Sequence, residues 1–376
     1  MTFTKESQEL MKYFFDVFDD YSYNKTKKKQ GQIDEILKNF YNELMISEKI
    51  YDDCYEKNVK KSIKEISTMD VDDLLLSKYM DKAAKMMIHR KGIGILTGHL
   101  NLQGVNINIH FMLFDKKKMK NLNVYDDYIK KIIVFLKFLF FFVKNKKPES
   151  IDYYLYLTNV KKKMPKTVLK VLSGENCNTG VTYGCAKNGK VLIYRKEEWF
   201  KVLIHETFHM LCLDFNNLYL ENFNKEFKKI INVKSELNLF ESYTEFWANI
   251  LNSVICSKKL CGKTKNVDNF LLYVDFCFHY EKIFSLFQCV KVLDHMGLTY
   301  NNLITNNSIG QSLRDLYYKE DTNVFAYYII KPILIYFKED FLLWCKENNL
   351  GNIFNFNKSG ESLESYMDFL KEKLGD

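Results

Sequence analysis

From Lys5 to about Met87 hydrophobic residues recur at helical spacing, as in Leu10, Tyr13, Phe14, Val17 and Phe18, which predicts several helices joined by polar turns. The period then changes to two. Val105, Ile107, Ile109, Phe111 and Leu113 alternate with Asn106, Asn108, His110 and Met112, a pattern that predicts a strand paired as a hairpin with the run from Ile93 to Leu100. A helix is expected from about Tyr125 to Val143, a strand near Ile151 to Leu157, a second from Thr179 to Tyr183 and a short buried one from Lys190 to Tyr194. A helix beginning at Arg195 or Lys196 follows, with Glu197 and Glu198 in its first turn, where carboxylates suit the positive end of the helix dipole.

Beyond Asp214 helical periodicity dominates. It predicts helices at about Glu221 to Ile231, Glu236 to Val254, Asp268 to Leu293, Gln311 to Tyr318, Val324 to Glu347 and Leu363 to Leu374, the fifth kinked at Pro332. The expected fold class is α+β: mostly helical, with a small mixed sheet beside the helix that follows residue 195. The changes of period divide the chain into a helical N-terminal lobe of residues 1–90, a sheet subdomain of 91–215 and a helical C-terminal lobe of 216–376.

Composition supports a chain folded throughout. Of 376 residues, 47% are hydrophobic and 15% aromatic and only 3 are proline, unlike a disordered segment. The formal charge of +8 is mild and sits in short clusters such as Lys27–Lys29, Lys116–Lys118 and Lys161–Lys163; with no zinc finger or basic recognition helix, no specific nucleic-acid partner is expected. The most apolar run, Ile132 to Val143, is too short to span a bilayer and carries Lys137, so no membrane span is expected. The nine cysteines form an odd count without a CxxC pair, and no signal-peptide pattern precedes Lys5. Reduced thiols and an intracellular, cytoplasmic location are the expectation.

The chemistry concentrates at Trp199 to Leu211, which contains the sequence His205-Glu206-Thr207-Phe208-His209. Residues four apart on a helix lie one above the other, so imidazoles at 205 and 209 can converge on one ion such as Zn²⁺. Glu206 projects beside that ion, where its carboxylate can take a proton from water. Phe200, Ile204, Phe208, Leu211 and Phe215 form an apolar stripe that would bury this helix, and two buried histidines without partners are costly.

A third ligand is needed, and Glu236 to Val254 offers one. Against an apolar background, Asn238, Glu241, Glu245, Ala248 and Asn252 share one stripe. Glu241 is assigned to the metal. Glu245, one turn later, is assigned as acceptor for the outer ring nitrogen of His205 or His209. The bland alternative pairs both glutamates with lysines on an exposed edge.

The pair of motifs, H-E-x-x-H at 205–209 and E-x-x-x-E at 241–245, resembles the gluzincin metallopeptidases, which are thermolysin-like and aminopeptidase-like enzymes. That resemblance covers about residues 176–252 and implies a zinc-dependent hydrolase acting on a peptide or protein substrate, with Glu206 as general base and Glu241 as third zinc ligand. Many members carry aspartate where this chain has Glu245. The aminopeptidase signature of the family is absent. The family also places a substrate-binding edge strand before the motif helix, which here points to Asn178, Gly180 and Tyr183, and an oxyanion donor from the helical lobe. Tyr327, Tyr328 and His295 are candidates for that donor, and Tyr328 is chosen.

The string from Arg195 to His209 is also similar to uncharacterised proteins of large DNA viruses, which would imply a virus factory or virion as location. The rival to catalysis is an inactive metal-binding structural or virion-associated protein, closed by a fourth ligand such as Asp214 or a cysteine.

Overall fold

The computed structural model describes residues 5–18, 27–65, 77, 79–143, 147–262 and 266–375. Its strands, in chain order, are β1 (Lys60–Glu65), β2 (Gly94–Leu102), β3 (Val105–Leu113), β4 (Ser150–Thr158), β5 (Leu172–Ser173), β6 (Gly180–Thr182), β7 (Asn188–Arg195) and β8 (Glu320–Asp321). A six-stranded mixed sheet runs β1-β2-β3-β4-β7-β6, while β5 and β8 form a separate parallel pair. The remainder is mostly helix, so the α+β class is observed.

The alternation in β3 does what it predicts. Val105, Ile107, Ile109, Phe111 and Leu113 are all buried, and β3 pairs antiparallel with β2 through a tight turn in which Gln103 and Gly104 take φ of 53° and 86°. Positive φ at both central residues matches the twist of the flanking strands. Next, β3 pairs parallel with β4, and the helix Asp126–Phe142 supplies the crossover that parallel neighbours require. The pairing of β4 with β7 is also parallel, and β6 closes the sheet antiparallel to β7, with Gly180 opposite Ile193. Among the described residues no strand pairs with the outer edge of β6.

The N-terminal segment differs from the helical expectation at β1. Lys60, Lys61, Lys64 and Glu65 have little apolar periodicity, and the strand state comes from pairing with the free edge of β2. Helices Lys5–Phe18, Lys27–Ile50 and Lys82–Lys91 form as predicted; residues 66–76 of that segment lie outside the described ones.

The motif helix starts later than expected. Strand β7 continues through Arg195, whose guanidinium is fully buried and ion-paired with Asp81 at 2.6 Å, and the helix spans Trp199–Met210. Glu197 and Glu198 therefore precede the helix, and Glu198 caps it from the left-handed region with φ 54°. The segment from Val324 to Glu347 is not one kinked helix. It divides into a π-helical turn at Ala326–Ile330, a helix at Lys331–Tyr336 and a third at Lys338–Asn348. Pro332 follows directly on the π-helical turn, at the start of the middle piece, and the break falls at Phe337 instead.

One hydrophobic core joins all three expected lobes. Phe40, from Lys27–Ile50, contacts Phe138 and Phe354 at centroid separations of 5.8 and 5.3 Å, and Trp247 meets Phe354 at 4.8 Å. A smaller cluster of Met80, Ala84, Ile88, Met112, Tyr156, Leu192 and Tyr194 covers the other face of the sheet. No helix among the described residues is long and apolar enough to cross a membrane.

Cys185 and Cys212 are disulfide-bonded, which corrects the expectation that all thiols are reduced. The fold brings the connection between β6 and β7 against the turn after the motif helix, with Cα atoms 4.8 Å apart, within disulfide reach. A sequence separation of 27 gives no hint of that approach. Alkylation of the unfolded, unreduced protein is expected to label Cys54, Cys177, Cys256, Cys261, Cys277, Cys289 and Cys345, with Cys185 and Cys212 added only after reduction. Mass spectrometry reads the count, and labelling at all nine cysteines without reductant would contradict the bond.

Candidate metal centre

The motif helix packs between the sheet and the helix Phe240–Leu260. Tyr153 of β4 meets Thr207 Oγ1 at 2.9 Å, and Thr207 also donates to Leu203 O, fixing the helix against the sheet. On the opposite side Phe208 stacks on Trp247. Phe200, Ile204, Phe208, Leu211 and Phe215 are all buried, as the apolar stripe requires, and the histidines are carried inward with them.

His205, His209 and Glu241 converge. His205 Nε2 lies 3.0 Å from His209 Nε2, and Glu241 Oε2 lies 3.1 and 3.2 Å from these two nitrogens. Ligand atoms about 2.1 Å from a tetrahedral ion stand roughly 3.4 Å apart, so the triangle needs only a few tenths of an ångström of expansion to hold one. All three side chains are buried, and this is the one group of such residues among those described that can hold a metal ion. The donor set of two imidazoles and a carboxylate suits a divalent transition metal.

The outer atoms of each ligand are also engaged. His205 Nδ1 lies 2.9 Å from Glu245 Oε2, so the residue read as acceptor for one of the two imidazoles faces His205. Glu245 in turn receives Lys201 Nζ at 2.5 Å. His209 Nδ1 pairs with Asp214, which accepts from Thr244 Oγ1 at 3.3 Å and from the Asn216 backbone N–H at 3.1 Å. Asp214 therefore stands on the nitrogen of His209 that faces away from the triangle, which removes it as a fourth ligand. Glu241 Oε1 accepts from Asn323 at 2.9 Å, and Oε2 accepts from the Tyr327 hydroxyl at 3.1 Å.

Electrostatics follow this wiring in the metal-free protein. Burial alone would push both imidazoles down, but Glu241 with Glu245 holds His205 up to about 9, and Glu241 with Asp214 raises His209 well above its ordinary value. Burial opposes the charge on Glu241 and Glu245 as well, yet the histidines and Lys201 hold both carboxyls well below the usual range. Glu206 differs. Its carboxylate has no hydrogen bond or ion pair with a described residue, and burial pushes it up to about 7 against the opposing pull of His205 and His209.

Glu206 and His205 line a cavity of about 480 Å³, bounded by β6, the Phe240–Leu260 helix, the long helix Val267–His295 and the π-helical turn. Asn178 and Gly180 line it too, beside the free edge of β6. A Cβ at Gly180 would come within 3.0 Å of Glu206 Cγ and 2.9 Å of Val202 Cγ1, so the glycine leaves space for the Glu206 side chain. Tyr183 is 55% exposed and outside the cavity lining. Tyr328 is in the cavity wall with its hydroxyl against the Cys177 thiol, and its neighbour Tyr327 is the tyrosine that reaches the metal group. His295 is remote, contacting Lys170 O at 3.0 Å.

Sequence reasoning assigns no role to Lys201 or Asn323. Lys201 has a signal, because a lysine one turn before His205 on an apolar helix calls for a buried acid; Asn323 has none. In comparisons with protein-family models, with curated proteins and with solved structures, nothing matches this chain.

Two outcomes test the centre. His205→Ala is expected to abolish stoichiometric metal in protein purified with zinc present, read by elemental analysis, and retention of one equivalent would refute the site. The second concerns pH. Groups whose folded pKa is raised stabilise the fold below their unfolded value and lose that effect as pH climbs through the folded one. Chelator-treated protein is therefore expected to melt at progressively lower temperature from pH ~6.5 to about 9 through His205, with Glu206 adding the same sign up to about 7. A flat or rising melting temperature across that window, measured by calorimetry, would contradict the wiring.

Proposed function

We propose that the chain is a zinc-dependent metallopeptidase of gluzincin type, hydrolysing peptide bonds with Glu206 as general base. The observation that carries this reading is the pairing of a three-donor triangle with an unpartnered buried carboxylate on the residue next to His205, Glu206 and His205 both lining one cavity. A structural site would be expected to satisfy every buried acid and to close the metal with a fourth protein ligand. Here Asp214 orients His209 from behind, and Cys212 is bonded to Cys185.

When bound, zinc supplies Lewis acidity toward the scissile carbonyl and lowers the pKa of water toward neutrality. Glu206, on the residue beside His205 and without a competing partner among the described residues, accepts a proton from the attacking water and delivers it to the leaving amine nitrogen. Glu245 and Asp214 keep the two imidazoles in one tautomer and orientation. The free edge of β6, with Asn178 and Gly180 at the cavity, offers main-chain hydrogen bonds to an extended peptide. Tyr327 and Tyr328 both line the cavity and are the hydroxyls proposed as donor to the developing oxyanion; the ring of Tyr327 stands 5.9 Å from that of His205.

Glu206→Gln tests the assignment. The variant is expected to retain one equivalent of zinc while peptide-library cleavage falls by at least ~10²-fold, the usual worth of a general base. Undiminished cleavage would rule out Glu206 as the base.

A further inference from the structure

We infer that Lys331 selects the substrate by receiving one of its carboxylates near the scissile bond, either an acidic side chain or the free C-terminus of a short peptide. This rests on the peptidase reading for its cleavage readout, though not for its binding readout.

Lys331 opens the helix Lys331–Tyr336, directly after the π-helical turn that carries Tyr327 and Tyr328. It is 6% exposed and lines the same cavity as Glu206 and His205. Its ammonium donates to Ser285 Oγ at 3.0 Å, and no carboxylate of a described residue lies within ion-pairing distance. Two neighbouring lysines are paired with acids, the half-buried Lys201 with Glu245 and the buried Lys338 with Glu339, and the buried Lys282 lies over the Tyr336 ring at 5.0 Å. A buried cation left with one neutral acceptor is poorly compensated, which is unusual unless a ligand completes it.

The surrounding charges point the same way. Glu245 is already engaged by His205 Nδ1 and Lys201, and Glu198 lies between Lys162 and Lys201. Glu281, another acid of the lining, makes no direct contact with Lys331; burial raises its pKa against the opposing pull of Lys331 and Lys201. Burial lowers the pKa of Lys331 against the opposing pull of Glu245, Glu281 and Glu198, and a carboxylate arriving beside the ammonium would hold the charged form. The lining holds five lysines and five glutamates, and Asn249, Asn252 and Gln288 make the rest of the wall polar. An apolar side chain would leave these groups desolvated without partners, whereas a carboxylate satisfies the ammonium.

The test uses a mixture-based decapeptide library with Glu or Gln, and Asp or Asn, at each position, synthesised with free and amidated C-termini. Wild-type protein is expected to prefer the carboxylate member by at least ~10-fold in kcat/KM, since a buried charged site rejects a ligand that leaves it unpaired. Preference that survives amidation identifies a side chain; preference abolished by amidation identifies the C-terminus. Lys331→Met is expected to bring the ratio near unity. Fluorescein-labelled library members titrated into zinc-loaded Glu206→Gln protein give the same ratio by anisotropy without turnover. A binding preference without wild-type cleavage would refute the peptidase reading and leave the selection intact. Cleavage with no carboxylate preference, or a preference unchanged in Lys331→Met, would overturn the selection alone. Should Lys331→Met fail to fold, judged by circular dichroism, the wild-type acid-to-amide ratio still decides.

Discussion

Charge held away from water has to be answered by charge, and the centre of this protein is organised by that requirement. Glu241, Glu245, Asp214, His205 and His209 are all buried where the motif helix meets the helix Phe240–Leu260. No one of them is tolerable there alone. Glu241 is answered by two imidazoles, Asn323 and Tyr327, Glu245 by His205 and Lys201, and Asp214 by His209 and Thr244. Each imidazole thus has one nitrogen beside an acid and the other turned to a shared point that could hold a metal ion.

The apolar framework exists to hold that arrangement still. Tyr153 and Thr207 join sheet to motif helix, while Phe208, Trp247 and Phe354 lock the motif helix, the Glu241 helix and the chain after residue 350 into one block. Because the N-terminal helix Lys27–Ile50 packs into the same core through Phe40, displacement of any element would be felt at the histidines. The disulfide between Cys185 and Cys212 adds a covalent tie at the same place, and the backbone N–H groups of both cysteines donate to His209 O.

The π-helical turn at Ala326–Ile330 links this centre to the cavity. Widening one turn shifts side-chain register, and π-turns recur at functional sites for that reason. Here the turn sends Tyr327 to Glu241, places Tyr328 in the cavity wall, and is followed at once by Lys331. Three side chains within a short stretch thereby line one pocket, Lys331 standing four residues after Tyr327 and three after Tyr328, the spacing that sets side chains on one helix face.

Much of this was legible in the chain because it depends on local period. Two histidines four apart on an apolar helix, an E-x-x-x-E stripe on a later helix and the alternation at 105–113 need only helix and strand geometry to be interpreted. The convergence of Glu241 with the histidines, the pairing of β1 with β2, the division of residues 324–347 and the junction of Cys185 with Cys212 are different in kind. They depend on which distant segments become neighbours, and that is decided by packing of the whole core. The placement of Asp214 behind His209 and of Tyr327 on Glu241 is likewise tertiary, since a buried polar group's partner is set by the space around it and its own sequence neighbours carry no record of that space.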